Sequence, residues 1–132
     1  VSGPILDRID IHLEVPAVKV EKLTAEESLK TESSKVIRQR VQQARDRQVR
    51  RFKNTKITCN AEMAVKDLKE FCPLTQESLI LLRQAVSQFG LSARSYYRVI
   101  KLARTIADLA DSNRIETPHL AEAIQYRPRK QT

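Results

Sequence analysis

Apolar and polar positions along this chain fall into two regimes. Over Ile9-Asp10-Ile11-His12-Leu13-Glu14-Val15 they alternate with period two and stop at Pro16, which predicts a β-strand. No later stretch supplies a partner, and a lone strand cannot satisfy its own ladder hydrogen bonds. This segment is therefore expected to be disordered or loosely docked. A polar, acidic connector follows over Val18–Ser33, with room for one short helical turn.

From Ser33 the spacing turns helical. Ser33 or Ser34 caps a helix running to about Asn54, with the apolar stripe Ile37, Val41, Ala44 and Phe52 and with Gln48 set into it. Asn60 reads as the cap of a helix over Ala61–Phe71, closed by Pro73. Thr75 caps another over Gln76–Phe89 that buries Leu79, Leu82, Ala85, Val86 and Phe89. Gly90 suits the left-handed residue that ends it, and Ser92 caps the next helix, which reaches about Asp111. Val99, Ile100, Leu102, Ala103, Ile106, Ala107 and Leu109 form that helix's broad apolar face. Thr117-Pro118 reads as an N-cap with proline at the first helical position, opening a short helix through Leu120, Ala123 and Ile124. The expected fold is all-α: a small helical bundle over residues 33–127, preceded by an isolated strand or disordered segment over 1–32 and followed by a basic, frayed tail over 128–132.

Composition agrees with a helical core. Of 132 residues 41% are hydrophobic, only 5% are aromatic, and Trp is absent. The two cysteines, Cys59 and Cys72, lack metal-ligand spacing and read as reduced thiols of a cytoplasmic protein. No apolar run has the length of a membrane span. The chain starts at Val1, without Met and inside an apparent element, which leads to the expectation of a fragment.

Charge changes the picture more. The formal net charge is +8, which favours anionic partners. Between Lys35 and Lys53 eight basic residues face one acid, Asp46. Arg38, Arg45, Arg47, Arg50 and Arg51 there are candidates for nucleic acid, with salt bridges to the acidic connector as the plainer use. Arg94, Arg98 and Lys101 stand at i, i+4 and i+7 and form a second basic stripe. Arg94 falls in the first turn of its helix, where the macrodipole disfavours a cation and attracts phosphate. Either it is simply solvated or an anion comes to it. Catalytic chemistry is otherwise missing: the glycines are Gly3 and Gly90, so there is no phosphate loop, and His12 and His119 lack partners at metal spacing. By itself this segment should catalyse nothing.

Ser2 to Val15, Arg40-Val41 with Ala44-Arg45 and Gln48, Asn60, Leu91-Ser92-Ala93-Arg94, Ala103 to Leu109 and Glu122 to Arg127 together resemble the C-terminal part of magnesium-chelatase-like AAA+ ATPases of the ComM (YifB) type. The resemblance implies the last strand of a nucleotide-binding core followed by its helical lid. It implies that Arg94 matches the sensor-2 arginine, reaching the nucleotide of its own subunit. Arg8 matches the arginine finger, touching the nucleotide of the neighbouring subunit; a surface pair with Asp7 or Asp10 is the plainer role. It further implies ATP and Mg²⁺ in the parent protein and none held by this segment alone. The implied partners are the upstream core of the same chain and the neighbours of a hexameric ring. The parent would act in DNA processing during competence, with branch migration or helicase-like activity. The alternative from the residues is an autonomous basic helical DNA-binding module.

Overall fold

The computed structural model describes residues 3–20 and 31–128, and every regular element among them is helical. In chain order these are α1 (Gly3–Arg8), α2 (Ser34–Arg51), a 3₁₀ turn (Asn60–Glu62), α3 (Val65–Phe71), α4 (Gln76–Phe89), α5 (Ala93–Leu109) and α6 (Thr117–Gln125). The connector's helical turn and the end of the tail fall largely on 21–30 and 129–132, outside the described residues.

Local chemistry sets most boundaries. The hydroxyls of Ser33, Thr75 and Ser92 accept from the backbone N–H groups of Val36, Ser78 and Ser95 at 3.2, 3.1 and 3.1 Å, so each satisfies one orphan donor of the helix it precedes. Gly90 has φ 62° and ends α4 by donating to the Val86 carbonyl at 2.9 Å. At α6 the cap is Glu116 rather than Thr117, and Pro118 takes the second helical position. His119 Nδ1 accepts from the Glu116 N–H at 3.0 Å, which closes that end.

α5 is the central element, packed chiefly on α6 and α2. Its buried residues are Ser95, Val99, Ile100, Ala103, Arg104, Ala107 and Asp108, one stripe at helical period. Leu82, Ile115, Leu120 and Ala123 are almost wholly removed from water around it. Phe52 closes the α2 side, edge-on to Phe71 at 5.2 Å between ring centroids.

Three further expectations change. The helix expected over Ala61–Phe71 is divided, because Met63 is extended (φ −62°, ψ 132°) and turns its side chain into the core. The front of α2 stands clear of the bundle: Ile37 and Val41 are exposed, while Ala44, Gln48 and Phe52 are buried. No strand is present among the described residues. Ile9 to Val15 runs as irregular chain, and Gly3–Arg8 before it forms α1. The segment docks on the bundle through the His12 N–H, which donates to the Tyr126 carbonyl at 2.9 Å. Period two prevails over a helix here, but without a neighbouring strand the ladder has nothing to pair with.

Candidate functional site

Two polar constellations stand out, and α5 builds both. The first is buried. Asp108 is 2% exposed and receives Arg51 through both of its terminal nitrogens, at 2.6 and 2.9 Å. Arg104, one turn earlier, lies 3.1 Å from the same carboxylate and also donates to the carbonyls of Ser112 and Asn113. Asn60 donates to Asp108 at 2.9 Å and to Thr105 Oγ1 at 3.0 Å, and its own N–H reaches Gln48 Oε1 at 2.9 Å. This network fastens α2, the 3₁₀ turn and α5 together. Burial lowers the Arg104 pKa, against the opposing pull of Asp108. Among the described residues, Arg104 Nε is buried without a partner.

The second constellation is open. A cleft of about 240 Å³ lies between the N-terminal segment, the 3₁₀ turn and the first half of α5. Arg8, Arg94, Arg98 and Lys101 line it, with Asp10 at its edge and Leu102 and Thr105 among its remaining lining. The stripe expected from i, i+4, i+7 spacing is therefore one wall, and Arg8 joins it from the far end of the sequence. The Arg94 side chain is 59% exposed, and its nearest carboxylate is Asp7 at 3.5 Å. That acid answers the unfavourable position of a cation in the first turn of a helix. Arg98 is 12% exposed and lies 3.0 Å from Asp10. Asp7 and Asp10 thus pair with Arg94 and Arg98, and Arg8 has no carboxylate partner among the described residues.

The candidate nucleic-acid residues separate into two groups. Arg38, Arg45 and Arg50 are exposed on α2. Arg47 grips Asp111 at 2.6 and 2.9 Å and reaches Asn113, and Arg51 serves the buried network. For these two the dense charge has an intramolecular purpose. Arg40 pairs with Glu32 of the connector. The buried Asp108 network escaped sequence reading, although Arg104 and Asp108 fall on the same stripe as Val99, Ala103 and Ala107. Among the described residues no three His, Cys, Asp or Glu side chains gather as a metal site, and no helix is long and apolar enough to cross a membrane.

An all-helical domain with an arginine-lined cleft at the start of its central helix is the class these features define. The chain belongs to the family of the magnesium chelatase, subunit ChlI C-terminal domain, whose model matches residues 31–127. It is 39% identical over 126 residues to the uncharacterised protein YifB of Escherichia coli K12, and 37% identical over the same length to the competence protein ComM of Haemophilus influenzae. A more distant relative is the uncharacterised protein Rv2897c of Mycobacterium tuberculosis, at 29%. Each alignment covers 96% of this chain and 24% of the relative, so the chain spans about a quarter of the length of the curated relatives it matches.

Proposed function

We propose that this chain is the C-terminal lid of a magnesium-chelatase-like AAA+ ATPase, with Arg94 as its sensor-2 residue and Arg8 as its arginine finger. On this reading residues 1–32 come from the nucleotide-binding core, 33–127 form the lid and 128–132 are its tail. The observation that supports it is that Arg8 and Arg94, distant in sequence, line one cleft with Arg98 and Lys101. The family resemblance implies two different nucleotides for the two arginines. A shared cleft favours one triphosphate for both, and for an arginine finger that triphosphate belongs to the neighbouring subunit.

The residues fit that anion. Each guanidinium offers a planar fork of donors to phosphate oxygens. Bound ATP supplies the transferable phosphoryl group, with Mg²⁺ held by acidic residues of the upstream core. Arg8 and Arg94 then stabilise the negative charge that shifts among the phosphate oxygens during transfer. The parent assembles as a ring, hexameric by family resemblance. Its work is DNA processing, in keeping with the competence role in the name of the Haemophilus influenzae relative.

The test joins this chain to its nucleotide-binding core and measures ATP turnover. Arg8→Ala should lower kcat by about 10³-fold and Arg94→Ala by about 10²-fold. Both side chains are exposed enough to leave the lid folded, which its helical circular dichroism would report. Unchanged turnover in the Arg94 variant rejects the sensor role. The DNA-binding alternative keeps Arg38, Arg45 and Arg50, which face solvent on α2.

A further inference from the structure

Polar contacts tie the N-terminal segment to the bundle. Among its described residues none is buried; Leu6, Asp7 and His12 are half-buried and the rest exposed. Apolar packing therefore does not decide where Arg8 stands. A short helix leaves its last carbonyls without intrahelical partners, and cations suit that end. Arg8 itself stands in the last turn of α1, and a second cation, Arg98, reaches that end across from α5. Its guanidinium donates to the Asp7 carbonyl and, at 3.3 Å, to the Ile9 carbonyl, while Nε faces Asp10 Oδ1 at 3.0 Å. Three acceptors on residues 7, 9 and 10 converge on one side chain, and they bracket Arg8.

We propose that Arg98 is a positioning residue: it clamps the segment that carries Arg8 and so sets Arg8 opposite Arg94 in the cleft. The proposal rests on the reading of that cleft as a polyphosphate site. Arg98 lines the cleft but directs its donors to the segment, so it acts through Arg8 and not on the phosphate itself. A lysine would keep the charge and lose the fork that spans three acceptors.

The experiment titrates the full chain with inorganic tripolyphosphate by calorimetry, for wild type, Arg8→Ala, Arg98→Ala, Arg98→Lys and the Arg8→Ala/Arg98→Ala double variant. Arg8→Ala should weaken binding by about tenfold, the loss of one charge-assisted contact. Arg98→Ala and Arg98→Lys should weaken it equally, and the double variant should bind no more weakly than either single alanine variant. In parallel, amide exchange at His12 should quicken in both Arg98 variants and stay unchanged in Arg8→Ala. Additive losses, or wild-type affinity in Arg98→Lys, overturn the clamp, because they assign Arg98 a direct or purely electrostatic part. If wild type binds no tripolyphosphate, or Arg94→Ala binds it as wild type does, the cleft reading fails instead.

Discussion

The buried Asp108 carboxylate accepts from Arg51 on α2, Asn60 in the 3₁₀ turn and Arg104 on its own helix. Removing it leaves the buried Arg104 guanidinium and the largely covered Arg51 guanidinium without their counter-charge, and breaking a buried pair in this way costs about 3–5 kcal/mol. Asp108→Ala should therefore shift the urea midpoint far more than Asp111→Ala, whose carboxylate meets Arg47 while 78% exposed to water. Cys72 is a second residue whose burial has a measurable result. Burial pushes its thiol pKa up from 9.0 to about 11. The neutral thiol is the folded form, so its contribution to stability is complete below the unfolded pKa and fades as pH rises from about 9 to about 11. The stability gap between wild type and Cys72→Ala should narrow across that window. Iodoacetamide at neutral pH should modify the partly exposed Cys59 before Cys72, as peptide mass spectrometry would show.

At the scale of elements, what could be read in advance was what neighbouring residues decide. Ser33, Thr75, Ser92 and Gly90 were legible because a cap or a left-handed residue needs only the next few positions of chain. Gly90→Ala illustrates this: an added Cβ meets nothing within 4 Å, yet φ stays at +62°. The cost is then purely conformational, about 1 kcal/mol, and guanidinium unfolding should register it with no change in slope. The break at Met63 was not legible, because the core draws that side chain inward. Nor was the buried network: Arg51 and Asp108 stand far apart in sequence, and only the packing of α2 on α5 brings them together. Arg94 could be singled out from its place in a first helical turn. Its cleft could not, since one wall is the docked segment read as a strand.

The whole molecule carries its excess charge unevenly. Of the five arginines marked for nucleic acid, two are held by Asp108 and Asp111, leaving three exposed on α2. Gel-shift titrations of this chain with duplex DNA separate the two functional readings. A DNA-binding module built on those three should show a log–log salt slope of about −3, whereas a lid that works only within its ATPase should hold no duplex at physiological salt.

One contact in the cleft sets the terms on which any anion enters. The Asp7 carboxylate already rests near Arg94, on the same short helix that bears Arg8. On the proposed reading, an arriving phosphate would trade places with a resident carboxylate and meet no bare cation at that seat. Salt loosens the resident and the newcomer alike, so entry there should depend on ionic strength less steeply than the number of arginines would indicate. The displaced acid would stay tethered next to Arg8, ready to return on release.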